Sequence, residues 1–202
     1  MALAALSSCS GQKSGSDFQI DDQLTPEEQK RGVLTPEIMW KFGQVSDPQL
    51  SPDGRQVAYC VKRYNLSENK GVTRLYLVPS SGEAEPVALT DGQSSAWHPR
   101  WSADGKAIRF ISDRGGTEQI WEVTLADEKH AARQLSDVKG GVKAFAFSPK
   151  ENMALYVKKV QVSKTLAERY PHLPKANVRI ADDLMYRHWD TWDDGAYHHV
   201  FV

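Results

Sequence analysis

Apolar and polar side chains alternate along much of this chain. Val57, Tyr59 and Val61 interleave with Ala58 and Cys60, and the same period of two returns at Ile108 and Phe110 around Arg109. Successive side chains of a β-strand point to opposite faces, so this pattern predicts strands with one face more buried than the other. Each is followed by an apolar-alternating run, Leu75-Tyr76-Leu77-Val78 or Ile120-Trp121-Glu122-Val123, and then by a short edge segment, Pro86 to Thr90 or Ala132 to Ser136. Helical signals are few. Thr25-Pro26-Glu27-Glu28 supplies an N-cap, a first-turn proline and a capping-box glutamate, and Thr35-Pro36-Glu37 repeats the start signal ahead of Ile38, Met39 and Phe42, so two short helices are predicted before about Gly43. The good helix formers from Lys164 to Tyr170, closed by Pro171 and Pro174, predict a short helix or an irregular excursion.

The strand pattern is repetitive. Ser51-Pro52-Asp53-Gly54-Arg55-Gln56-Val57-Ala58-Tyr59 aligns with Ser102-Ala103-Asp104-Gly105-Lys106-Ala107-Ile108-Arg109-Phe110, 51 residues on. A degenerate third copy, Ser148-Pro149-Lys150-Glu151-Asn152-Met153-Ala154-Leu155-Tyr156, starts 46 residues later. Asp-Gly in the first two copies provides the positive-φ residues that a tight hairpin turn requires. Intervals of roughly 40 to 50 residues are those of propeller blades. Four strands fit each unit: one entering the turn, one leaving it, the apolar run and the edge segment. The expected fold is all-β, a partial β-propeller of about three to three and a half four-stranded blades, preceded by one or two short N-terminal helices. A β-sandwich has no reason to repeat one turn at a fixed interval. The expected division is a leader and linker over 1–22, helices over 23–43, and an incomplete propeller over 44–202, with blades near 44–92, 93–138 and 139–202. Propellers close with about 4 to 8 blades, so the chain is expected to be the beginning of a longer ring.

Composition narrows the partners. Of the 202 residues, 40% are hydrophobic and 25% charged, which supports a packed core over disorder. With a formal net charge of −1, there is no overall basic field to neutralise phosphates, and nucleic acid is not expected as a partner. The two cysteines, Cys9 and Cys60, lie in unlike contexts, a polar leader and an apolar strand, which argues against a disulfide between them.

The closing stretch, Tyr186-Arg187-His188-Trp189-Asp190-Thr191-Trp192-Asp193-Asp194-Gly195, resembles a signature in the propeller of the dipeptidyl aminopeptidase and acylaminoacyl-peptidase branch of the prolyl oligopeptidase family. Thr35-Pro36-Glu37 through Trp40, Val45-Ser46-Asp47-Pro48 and Ser51-Pro52-Asp53-Gly54 are similar to the start of the same proteins. Ser112-Asp113-Arg114-Gly115-Gly116-Thr117-Glu118-Gln119-Ile120-Trp121 is shared with them and with binding propellers of the TolB type. The resemblance covers about residues 33 to 202. It implies a secreted or lipid-anchored bacterial serine peptidase in which the propeller gates short peptides to an α/β-hydrolase domain carrying a Ser-Asp-His triad. This sequence contains no Gly-x-Ser-x-Gly elbow, so no catalytic residue is assigned and the chain by itself is expected to be inactive. The alternative is a TolB-like periplasmic scaffold without catalysis.

Several residues invite chemistry. His188, Asp190, Asp193, Asp194, His198 and His199 are metal-binding types, yet neighbouring histidines in a strand point to opposite faces, and turn and capping roles account better for the carboxylates. No metal or cofactor is expected. Cys60 with His98 as base would make a nucleophile, but an apolar strand favours a buried structural thiol. Trp97, Trp101 and Trp121 at blade spacing read as inter-blade packing, and Glu27-Glu28 as part of a helix cap. Leu6-Ser7-Ser8-Cys9 followed by Ser10-Gly11 resembles the lipobox of bacterial lipoproteins, which makes Cys9 the lipidation candidate and implies a periplasmic or membrane-anchored location. The stretch before it is too short for a signal peptide and lacks Lys or Arg, so on this reading the true start lies upstream.

Overall fold

The computed structural model describes residues 23–127, 130–182 and 184–202. Two six-residue helices open it, α1 (Pro26–Arg31) and α2 (Pro36–Lys41). Thr25 and Glu28 form a reciprocal capping box on α1, which then stops at Gly32 in the left-handed region. The Thr35 hydroxyl caps α2. Trp40 meets Tyr64 edge to face at 4.9 Å, and Ile38 is buried, so α2 is held to the first sheet by apolar contact.

Two four-stranded antiparallel sheets follow, each a meander in chain order. The first holds β1 (Gln44–Leu50), β2 (Gln56–Asn65), β3 (Lys70–Pro79) and β4 (Val87–Ala88). The second holds β5 (Ala96–Trp101), β6 (Ala107–Ser112), β7 (Gln119–Thr124) and β8 (Ala132–Gln134). A third is built from β9 (Ala144–Phe147) and β10 (Ala154–Gln161), with β13 (Ala196–Phe201) on the far side of β10. Consecutive four-stranded antiparallel sheets, each started by the same turn, are blades of a β-propeller.

The turn is a hydrogen-bonded unit that repeats almost atom for atom. Ser51 Oγ donates to Asp53 Oδ1 at 2.6 Å and accepts from the Gln56 N–H at 2.9 Å, while Asp53 Oδ1 also takes the Arg55 N–H at 3.1 Å. Ser102, Asp104, Lys106 and Ala107 reproduce these bonds at 2.6, 2.9 and 3.1 Å. Gly54 and Gly105 sit at φ 73° and 69°, where a side chain would be strained. In the third copy Glu151 takes this left-handed position at φ 55°. It is held there by the second blade: Arg109 Nη1 and Nη2 donate to its carboxylate at 2.7 and 2.9 Å, and the Ala103 N–H donates at 2.8 Å.

The core lies between the sheets. Ala58 and Cys60 of β2 pair with Leu77 and Leu75 of β3, and these four side chains meet Ile108, Phe110, Trp121 and Val123 of the second sheet in one cluster. The opposite face of the second sheet contributes Ile111 and Ile120 to a second cluster with Val142 and Phe145. The period of two left open which face of β2 is covered; the small residues Ala58 and Cys60 are buried, and the bulkier Val57 and Tyr59 are half-exposed.

The third sheet follows the same meander in the order β9-β10-β13, and an excursion of residues 162–195 separates its second strand from its third. That excursion carries α3 (Leu166–Arg169), inside the predicted 164–170 stretch, and a hairpin of β11 (Arg187–His188) with β12 (Thr191–Trp192). The edge strands β4 and β8 are shorter than the sequence suggested, because beyond them the Leu75 and Ile120 N–H groups donate to the hydroxyls of Thr90 and Ser136 instead of to backbone carbonyls.

Ser102 is almost fully buried, and its hydroxyl bridges a carboxylate and a backbone N–H. Ser102→Ala is expected to lower stability by about 1–2 kcal/mol, and Ser148→Ala, whose equivalent bonds lie at the surface, by less than about 1 kcal/mol. Urea unfolding of the two variants measures the difference.

Candidate functional site

Two places in the fold gather polar chemistry. The first is the seam between the first and second sheets, where β1 and β5 are both interrupted. Their pairing registers break between Ser46 and Gln49 and between Trp97 and Arg100. The bulges hold Asp47-Pro48 and His98-Pro99, again 51 residues apart, with Asp47 and His98 at φ 47° and 59°. Proline has no N–H for a ladder, which suits a bulge. Arg100 Nη1 donates to both Asp47 carboxylate oxygens at 3.1 and 3.0 Å, and Trp101 Nε1 donates to the Gln49 carbonyl at 2.9 Å. One sheet is thus tied to the next through the equivalent strand.

His98 sits inside this tie. Its Nε2 lies 3.2 Å from the Phe145 carbonyl, and its Nδ1 3.1 Å from Arg100 Nη2. A carbonyl only accepts and a guanidinium only donates, so the ring is neutral, protonated on Nε2 and accepting on Nδ1. Burial depresses its pKa, with Arg100 adding to the effect and the bond to Phe145 and the charge of Asp47 opposing it. Cys60 lies on the same seam and is 1% exposed. Burial pushes its thiol up to about 11, with the charge of Asp47 adding to the rise and the His98 backbone and Arg100 opposing it. A protonated, enclosed thiol is no nucleophile at neutral pH.

The second place is a cavity of about 410 Å³ within the third-blade excursion. Thr165 caps α3 on one side, while the β11–β12 hairpin presents Trp192 on the other. Tyr186 stacks on the Trp192 ring at 6.0 Å, and the guanidinium groups of Arg179 and Arg187 each lie 4.9 Å from its centre. Val178, Ile180 and Leu184 add apolar wall. The carboxylates nearby are engaged: Asp182 with Arg169 at 3.0 Å, Asp193 with the Gly195 N–H at 2.9 Å, and Asp194 with Lys159 and the Ala196 N–H.

Comparison with known proteins decides the family. The chain is 41% identical over 159 residues to dipeptidyl-peptidase 5 of Porphyromonas gingivalis, a match that covers 79% of this chain and 23% of that protein. Against dipeptidyl-peptidase 5 of Porphyromonas endodontalis it is 32% identical over 182 residues, 90% of this chain and 26% of the relative. This chain belongs to the prolyl oligopeptidase family. It spans about a quarter of the length of these relatives. Among solved structures, the Pyrococcus horikoshii acylaminoacyl peptidase superposes with a TM-score of 0.56 over 79% of this chain and 23% of its own, at 22% identity, which shows a shared fold. No protein-family model matches the chain.

In the family signature Asp193 and Asp194 cap backbone N–H groups, as turn roles require, and Trp189, in the turn between β11 and β12, is 86% exposed. His198 and His199 are consecutive in β13, opposite Lys159 and Lys158, and among the described residues no three His, Cys, Asp or Glu side chains converge on a metal site. Trp97, Trp101 and Trp121 pack against the inter-sheet core, and Glu28 closes its capping box while pairing with Lys41 at 3.0 Å. Cys9 lies outside the described residues. Sequence reading passed over Asp47, Arg100, Arg109 and Glu151; the 51-residue interval between Asp47-Pro48 and His98-Pro99 was the available signal for the first two.

Because His98 takes up a proton less readily in the folded chain than in the unfolded one, its contribution to stability is intact above the ordinary imidazole pKa and declines as pH falls through it. The melting temperature is therefore expected to drop between about pH 7 and pH 5, through the unperturbed histidine value near 6.5. His98→Gln should flatten that slope; an unchanged slope would show that the tie does not titrate.

Proposed function

We propose that this chain is the propeller portion of an exported bacterial serine peptidase of the dipeptidyl or acylaminoacyl type, and that it controls which short peptides reach a catalytic α/β-hydrolase domain. The observation that carries this reading is the 41% identity to a dipeptidyl-peptidase 5 over most of the chain. The chain contributes rigid blades whose seams are closed by packing and ion pairs, and no Gly-x-Ser-x-Gly elbow. Its task is selection and docking, while the bond-breaking triad belongs to the longer protein.

The full-length protein is expected to hydrolyse dipeptidyl or acylaminoacyl chromogenic substrates and to lose that activity to a serine-directed reagent. The 202-residue chain should show none. Serine-reagent-sensitive turnover by the chain, or a full-length protein inert toward both substrate classes, would refute the assignment.

A lipid tether through Cys9 is part of the proposal, supported by Leu6-Ser7-Ser8-Cys9 and the polar run behind it. Expressed from its native start in a bacterial host fed labelled palmitate, the protein should take up label, and Cys9→Ala should abolish the uptake without changing hydrolysis. Equal labelling of both proteins would remove the anchor.

A further inference from the structure

The excursion cavity is built unlike the seams. At the seams Arg100 meets the carboxylate of Asp47, and Arg109 meets those of Glu151 and Glu122. Around Trp192 the balance is different. Among the described residues, the only recorded partner of the Arg179 and Arg187 guanidinium groups is the indole ring. The acidic side chains beside them, Asp182, Asp193 and Asp194, already hold other groups. A guanidinium on an aromatic face keeps its in-plane N–H donors free, because the ring occupies only the direction above the plane. Arg179 lines the cavity directly, and Arg187 lies over the same ring.

We propose that this cavity is a binding site for a peptide segment bearing a carboxylate next to an apolar or aromatic side chain. Arg179 takes the carboxylate through paired N–H donors, assisted by Arg187, and the neighbouring side chain rests against Trp192, Ile180 and Leu184. The volume of about 410 Å³ suits one or two residues and lies in the ordinary range for small-ligand sites. An inorganic anion would leave the apolar wall unused, and a purely apolar ligand would strand the guanidinium donors. Choosing a peptide as the bearer of the carboxylate rests on the peptidase reading; the cationic and aromatic geometry does not.

The test uses the whole 202-residue chain and calorimetric titration with four probes: N-acetyl-Leu-Phe as free acid, the same peptide as C-terminal amide, N-acetyl-Glu-Phe amide, and inorganic phosphate. The free acid is expected to bind with a dissociation constant on the order of 1 mM, and its amide about tenfold more weakly. Arg179→Gln should bring the acid down to the amide's affinity while leaving the amide unchanged, which separates loss of a charge contact from loss of fold. Binding of the Glu-containing amide at the free acid's level identifies an acidic side chain as the carboxylate source; binding of the free acid alone identifies a peptide C-terminus. Equal affinity for acid and amide, phosphate binding as tightly as the peptide acid, or an Arg179→Gln variant indistinguishable from the parent would each overturn the site. Hydrolysis by the full-length protein is measured independently. Intact hydrolysis without peptide-acid binding here rejects this site and leaves the peptidase reading standing, whereas binding without hydrolysis does the reverse.

Discussion

Face-to-face packing of neighbouring sheets is the constraint from which the rest of the structure follows. The second sheet is covered on both sides, and Phe110, Ile108 and Ile111 of β6 are wholly excluded from solvent in consequence. A four-stranded sheet cannot bury two faces by itself, so each blade is stable only through its neighbours. The small residues Ala58 and Cys60 on the facing side of β2 sit in the same cluster as the large Phe110 and Trp121, a pairing of small with large that lets two twisted sheets close on each other. Each fully buried side chain of that size contributes roughly 1.5–3 kcal/mol, which makes these seams the main source of stability.

Polar ties at the seams fix how the blades align. The Arg109 side chain is 11% exposed, lies 4.1 Å from the centre of the Phe147 ring and grips Glu151 in the third blade's turn. That contact accounts for a glutamate in a backbone conformation that the other two copies give to glycine. Partly buried ion pairs add little net stability over apolar packing, but an unmatched partner is costly, so they favour one register over its alternatives. Asp47, in the β1 bulge, and Arg100, the first paired residue after the β5 bulge, serve the same purpose one seam earlier.

The excursion differs from the blades in how it is packed. The excursion between β10 and β13 has no buried residue among those described, and it exposes Leu184, Met185 and Trp189. The stretch that resembles the family signature also places Tyr186 and Trp192 beside Arg179.

The sequence by itself determined the repeating hairpin, its turn residues, the capped helices and the all-β class. These are local: an Asp-Gly pair, a period of two or a Thr-Pro-Glu cap acts through neighbours a few residues away, and its physical meaning is the same in any fold. It also carried the family, through a motif long enough to be specific. Only the tertiary structure decided which face of β2 is buried, that Glu151 is held by Arg109 from 42 residues away, that His98 is locked neutral between Phe145 and Arg100, and that the signature hairpin stands out from the third blade. Each of these depends on how one sheet lies against the next. No pattern within a strand encodes that geometry, because the same alternation of side chains is compatible with burying either face.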